Sequence, residues 1–409
     1  MRRPNKHRGG GTTDRRPSKA RNKLLAKKAL PRSSGKTVKL LVGTKKGLFV
    51  YTSDRGRNKW KLSGRHFFGE IVNHAVLDPR DQKTVLVAAR TGHLGPTVFR
   101  SADRDKTWKE AASPPCFPKA PQGQTGKTVG TVFWLTPGHP SEPGVWYAGT
   151  TPHALFRSED GGGSWTEVAE LRAYIELLAK KEGFIGETPG GAITHSIRID
   201  PRDAKHMYVG LSTGGVFETK DQGRNWKPLN ENVLADFLPE KYPEYGQDPH
   251  DLDIHPLFPD RLYQQNHCGI YRLDKPGARW TRIGKSMPKK VGDIGFPIVL
   301  HPRDPDTIWV FPMDGTDVWP RTSPGGKPAA YISNNGGTTW KRQDRGFPKE
   351  NGYFTVMRQA FNADSLDPVG LYLGTSSGEV WASKNGGESW RQIASHLPYI
   401  LSVEASVVR

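Results

Sequence analysis

Two histidines, His195 and His250, each stand six residues ahead of a proline, Pro201 and Pro256, that ends an alternating apolar stretch. His74 lies one residue out of that register ahead of Pro79, and Asp248, Asp251, Arg358 and the run Gln265-Asn266-His267 accompany them. Imidazoles and carboxylates converging on one point suit a divalent metal such as zinc, with one coordination position left for water or substrate. The metal set expected on this basis is His195, His250 and His267. Without a metal, His74, His195, His250, Gln265, Asn266, His267 and Arg358 would instead hydrogen-bond a polar ligand. The competing structural reading is that such histidines bond only a neighbouring strand or ordered water, because the donors are scattered along the chain and not held in a compact motif. Asp251, Asp314, Asp317 and Arg358 are the candidate catalytic groups. Asp314 and Asp317, in Met313-Asp-Gly-Thr-Asp-Val-Trp319, fit a plain hairpin turn before they fit a ligand or general-acid role. No motif demands a cofactor, and a divalent metal is the one that these residues suggest.

What must position them is a repeat. Seven tryptophans, Trp60, Trp108, Trp165, Trp226, Trp280, Trp340 and Trp390, recur at intervals of 48 to 61 residues. Three close the phrase Ser-x-Asp/Asn-x-Gly-x-Ser/Thr-Trp, at Ser158 to Trp165, Ser333 to Trp340 and Ser383 to Trp390. Thr219 to Trp226 is a near-isosteric fourth copy, Ser101 to Trp108 lacks the glycine, and the stretches before Trp60 and Trp280 are further eroded. Asp or Asn bonds its own backbone, glycine accepts positive φ and hydroxyls fasten the loop, so the phrase is a tight turn between strands. Strand pairs precede it, such as Met207 to Gly210 with Gly215 to Phe217, and a further strand precedes each pair, such as His195 to Asp200. Four short strands per unit is the size of a propeller blade.

The phrase resembles the turn of BNR/Asp-box β-propellers, the repeat family of sialidases, xyloglucanases, sortilin-type receptors and a photosystem II assembly propeller. Over residues 37–409 the chain is most similar to bacterial exo-sialidase-like, "glycosyl hydrolase" BNR-repeat proteins of the WD40/YVTN/BNR-like kind. The resemblance implies an all-β, single seven-bladed propeller with Asp-box turns, and it specifies architecture more than activity. Second strands count to seven, at Leu41, Val87, Tyr147, Tyr208, Tyr263, Trp309 and Tyr372. The first blade lacks its own inner strand, whereas Tyr399 to Val408 has no partner in the last blade, so the C-terminal strand is expected to complete blade one. Inner strands begin on the face where second-to-third strand hairpins emerge. That face collects His74, His195, His250, His93, His153 and His267, walled by long connections near 112–130, 169–192 and 230–248. Sialidase chemistry would need three arginines and a tyrosine nucleophile. Arg90, Arg198, Arg358 and Tyr353 lie near the expected rim, but the Arg-Ile-Pro signature is absent and sialidases usually have six blades. Xyloglucanases match the blade number and place substrate between two propellers, whereas this sequence accounts for one. The repeated Asp-Pro-Arg-Asp at 78–81 and 200–203, and His301-Pro-Arg-Asp304, is scaffold on the far face.

Composition sets the remaining bounds. With 46 glycines, 33 prolines and 12 tryptophans in 409 residues, the chain is turn-rich and all-β. Residues 1–36 carry +12 of the +19 net charge and lack a signal-peptide core, so they read as a disordered basic tail able to touch polyanions. No run of apolar residues is long enough to span a membrane. Cys116 and Cys268 fall in different blades, so no disulfide is expected and the location expected is cytoplasmic. The overall expectation is a monomeric propeller that binds a polar small molecule, a glycan or a protein partner at the channel mouth. The alternatives are a sialidase-like glycoside hydrolase with carboxylates in the same cup and a metal-dependent enzyme using the histidine cluster.

Overall fold

A computed structural model describes residues 37–93, 95–182, 191–315 and 321–408. The expected basic tail, residues 1–36, and Asp317 lie outside them. Seven four-stranded antiparallel sheets form a seven-bladed β-propeller. The inner strands are Ile400–Val408 in blade one, then Ile71–Leu77, Thr131–Pro137, Thr194–Ile199, Pro249–Ile254, Gly295–Leu300 and Phe361–Ala363 in blades two to seven.

The first blade closes the ring as the sequence suggested. Its innermost strand is the last of the chain, paired antiparallel with Thr37–Thr44 from Thr37↔Val408 to Thr44↔Ile400. Val38, Leu40 and Val42 on one strand and Ile400 and Val403 on the other are buried in one core cluster with blade seven. Each large aliphatic side chain buried in this way contributes about 1.5–3 kcal/mol. An unpaired Thr37–Thr44 would offer a bare edge of donors and acceptors.

The tryptophan phrase folds into one repeated turn. In blade three, Asp160 Oδ1 accepts the Gly163 and Ser164 N–H groups, both at 2.9 Å, and the Ser158 hydroxyl, while Oδ2 accepts the Ser164 hydroxyl at 2.8 Å. Asp221 holds its turn in the same way, and in Asn335 and Asn385 the side-chain oxygen accepts the equivalent N–H while Nδ2 donates to the Thr339 or Ser389 hydroxyl. Gly162 sits at φ 92°, where L side chains are strained, and a Cβ there would meet Leu86 of blade two at 2.7 Å, so the turn packs onto its neighbour. In the copy without glycine, Asp105 takes φ 66° itself and pairs with Lys39 and His66 of blade one, which gives the eroded phrase an inter-blade contact in exchange.

The sequence reading left one element out. The connection after blade three contains an α-helix, Ala169–Glu182. Leu171, Ile175 and Leu178 recur at i, i+4 and i+7 and bury against Trp134, Tyr147 and Phe217 of blades three and four. Arg172 on the other side reaches Glu167 at 2.7 Å and Glu176 at 3.3 Å. Among the described residues no helix is long and apolar enough to cross a membrane.

Deletion of residues 397–409 should therefore abolish the cooperative thermal transition, because it removes the innermost strand of a sheet and bares the edge of Thr37–Thr44. Circular dichroism melts check this, and a truncated chain that still melts sharply would refute closure by the last strand.

Candidate functional site

The inner strands converge at the axis, and their irregularities aim the side chains. In blades two to six the pairing of inner and second strand slips at the same place: between Val72 and His74, Val132 and Trp134, His195 and Arg198, Pro249 and Asp251, and Gly295 and Ile298. Such bulges re-aim the side chains beside them. In blade four Ser196 takes φ 51°, and its hydroxyl comes within 2.8 Å of His195 Nδ1 and 3.1 Å of Asp251 Oδ1.

The cup forms at blade five. His250 occupies the bulge at the start of the inner strand, His267 lies in the hairpin after Arg261–Asn266, and Asp248 ends the connection arriving from blade four. The His267 N–H donates to the Asp248 carbonyl at 2.9 Å, which ties hairpin to connection. Asp248 Oδ2 is then 3.4 Å from His250 Nε2 and 3.8 Å from His267 Nδ1. One ligand atom from each of the three residues lies within 4.8 Å of the others, making this the group able to hold a metal among the described residues. The His250 and His267 rings are perpendicular at 5.5 Å, and Phe237 abuts His267 edge-on at 5.5 Å.

The electrostatics of the cup follow from its burial. Burial alone would raise the Asp248 carboxyl, but its contacts with His250, Arg358 and His267 outweigh it and hold Asp248 well below the usual carboxylate range. Burial, with His250 beside it, pushes the His267 imidazole down to about 4, so it is neutral at pH 7. His195, fully buried, is also driven well down by burial and then by Arg358. Arg358 lies over the Phe296 ring at 4.9 Å, and burial lowers its pKa.

The other expected site residues occupy different places. His195 stands beside the Asp248 group and outside it, close enough for the Asp248 and His250 charges to act on it. His74 is taken up by the scaffold: Nδ1 accepts the Leu135 N–H of blade three at 3.0 Å, and Nε2 meets Glu404 Oε1 of blade one at 3.0 Å. Gln265 donates through Nε2 to the Asp293 carbonyl at 2.9 Å, and Asn266 accepts the Cys268 N–H at 3.1 Å, so both are buried braces of their hairpin. Asp314 brackets the blade six loop through its backbone, donating to the Thr322 carbonyl and accepting from the Arg321 N–H. Arg198 donates to the Leu252 carbonyl at 2.8 Å and pairs with Asp253 at 3.1 Å, a wall contact between blades.

Asp251 is also in the wall. Its Oδ1 accepts the Ser196 hydroxyl and the Leu252 N–H, and its Oδ2 accepts the Ile298 N–H at 3.2 Å, joining blades four, five and six. Burial, opposed by Arg198, pushes its carboxyl up to about 7. Gln359 of blade seven donates to the Phe133 carbonyl of blade three at 2.8 Å, a contact that crosses the axis and makes the mouth a cup.

Exposed aromatic side chains recur in the connections between blades, and Phe237 is the one in contact with the cup, through His267. Phe68, Phe237, Tyr242 and Tyr353 are all exposed, and all lie in connections that lead to inner strands. The connection 229–248 carries Phe237 and Asp248 to the cup, and its Tyr242 to Glu244 segment forms part of the lining of a groove of ≈ 740 Å³ with Pro228 to Asn232, Ala278 and Arg279.

A seven-bladed propeller with a polar cup at blade five is the class that fold and site define. No family model matches the chain. It is 24% identical over 294 residues to the oligoxyloglucan-reducing end-specific xyloglucanase of Emericella nidulans, covering 65% of this chain and 33% of that protein. It is 25% identical over 381 residues to a probable enzyme of the same name from Neosartorya fischeri, covering 83% and 42%. A xyloglucanase from a Paenibacillus species is 24% identical over 264 residues, covering 58% and 23%. Among solved structures, the GH74 xyloglucanase from Xanthomonas campestris superposes with a TM-score of 0.59 at 18% identity, covering 90% of this chain and 54% of that one. The chain thus spans between about a quarter and two-fifths of the length of these curated relatives.

Replacing Asp251 by Ala should deprive the Ile298 N–H of its side-chain acceptor, leave the Ser196 hydroxyl and the Leu252 N–H with one partner each, His195 Nδ1 and Ser196 Oγ, and cost about 1–3 kcal/mol for the unsatisfied group. Asp251→Asn, which keeps a carbonyl oxygen, should cost clearly less. Urea denaturation checks both, and an alanine variant as stable as the parent would remove Asp251 from the wall.

Proposed function

We propose that this propeller is of the glycoside hydrolase kind and takes a polysaccharide, xyloglucan or a chemically related glycan, across its inner-strand face. The observation that carries the reading is the set of exposed aromatic rings in the connections between blades, with Phe237 in contact with the cup. Rings with an exposed flat face present apolar area at little conformational cost, and a pyranose has a matching apolar C–H face. Phe237 beside His267 would seat one sugar ring in the cup. Tyr242, next to the groove on the same connection, would seat another part of a long chain. Sequence similarity to xyloglucanases favours this reading over a propeller that only scaffolds a protein partner.

Hydrolysis of a glycosidic bond ordinarily draws on two carboxyl groups. Asp236 and Asp248, whose charges both act on His267, are the acidic groups of the cup. Asp236 is exposed and accepts the Cys268 thiol at 3.1 Å, which leaves it near a bound sugar, whereas Asp251 is committed to the wall. The sialidase-type set has no comparable support, since Arg198 is bound to Asp253 and the Leu252 carbonyl.

Affinity electrophoresis in gels containing xyloglucan tests the binding. The full chain should be retarded, and Phe237→Ala and Tyr242→Ala should each weaken binding about tenfold, equivalent to about 1.4 kcal/mol. Leu62→Ala, on an outer strand, should change nothing. Asp236→Asn should bind yet release no reducing ends. A parent chain that migrates identically with and without polysaccharide would refute the reading.

A further inference from the structure

The cup at blade five has a property that does not depend on the glycan reading. His250 Nδ1 is 2.6 Å from the Gly295 carbonyl oxygen. A carbonyl can only accept, so Nδ1 carries a hydrogen, and the other nitrogen of a neutral ring is then a bare lone pair. That nitrogen, Nε2, faces the Asp248 carboxylate, with 3.4 Å between N and O. Lone pair against carboxylate is repulsive unless a cation lies between them. A proton there would make the two an ion pair, and a divalent ion would make both of them its ligands. An ion bound at about 2.0–2.2 Å to each of two ligands naturally leaves those ligands 3 to 4 Å apart.

We infer that Asp248, His250 and His267 form a site for a divalent transition-metal ion, with zinc the ion best matched by two imidazoles and one carboxylate. His267 Nδ1 meets the same condition toward Asp248 Oδ2, at 3.8 Å, and the three donor atoms lie within 4.8 Å of one another. The supporting contacts are in place. The Gly295 carbonyl fixes the tautomer and orientation of His250, the second-shell arrangement typical of metal-bound imidazoles. The Thr213 N–H approaches Asp248 Oδ1 at 3.3 Å, which leaves Oδ2 to the ion. Three protein ligands leave at least one position open for water or a ligand oxygen.

The test uses the full chain stripped with chelator and titrated with cobalt(II), which reports four- or five-coordination by visible absorption, and with zinc(II), followed by calorimetry and melting temperature. One equivalent bound with micromolar or tighter affinity, visible cobalt bands and a raised melting temperature are expected. His267→Ala and Asp248→Asn should each weaken binding at least 100-fold, and His139→Ala, on the opposite face, should not. His267 is in a hairpin loop, so its variant should keep the parental melt in the absence of metal, which separates loss of the site from loss of fold. Absence of stoichiometric binding, or binding that survives His267→Ala, would overturn the inference. Neither result bears on retardation by xyloglucan, so the two readings fail separately.

Discussion

Pairing of the last strand with the first is the constraint on which the remainder of the molecule depends. Seven sheets around an axis have a defined centre only if the ring is shut, and here it is shut by hydrogen bonds between Thr37–Thr44 and Ile400–Val408. The closing strand also contributes to the axis itself. Glu404 takes His74 of blade two through one carboxylate oxygen and Asn362 of blade seven through the other. The Val403 N–H donates to the Gln359 carbonyl, and the Gln359 side chain crosses to blade three. These polar groups on and beside the inner strands are thus satisfied by neighbouring blades, as buried hydrogen-bonding groups require. The cup at blade five is the place where this mutual satisfaction stops and side chains face an open mouth.

The fold was legible because its signals are local. An Asp or Asn that caps its own turn, a glycine at positive φ and a tryptophan behind them are decided within eight residues, and the same hydrogen bonds recur in the blades that keep the phrase. The unpaired apolar stretch at the C-terminus was legible for a related reason, since a strand without a partner in its own blade must find one elsewhere. The helix Ala169–Glu182 had a signal too, in the spacing of Leu171, Ile175 and Leu178, but it stands inside a connection where a strand repeat gives no reason to look for period 3.6.

The site was legible by face and much less by side chain. Sequence places His74, His195, His250 and His267 toward one rim, yet alternation along a strand cannot reveal a bulge, and bulges in the inner strands re-aim the side chains beside them. His74 therefore ends with both nitrogens engaged, and Gln265 and Asn266 turn inward to brace the hairpin while only His267 between them and Cys268 reaches the mouth. Asp248 came to the centre of the site because a hairpin N–H holds its backbone, a contact between segments 19 residues apart that no motif encodes. The contact of Phe237 with His267 likewise appears only once the connections are folded.

That single face, centred on blade five, is what the structure offers to a ligand. The most direct measurement is a crystal structure of the full chain soaked with a xyloglucan oligosaccharide. Sugar density over Phe237 and His267, continuing toward Tyr242, is the expected result. Density confined to the opposite face, among the Asp160 and Asp221 turns, or to the blade edges away from the cup, would contradict the assignment of function to the inner-strand face.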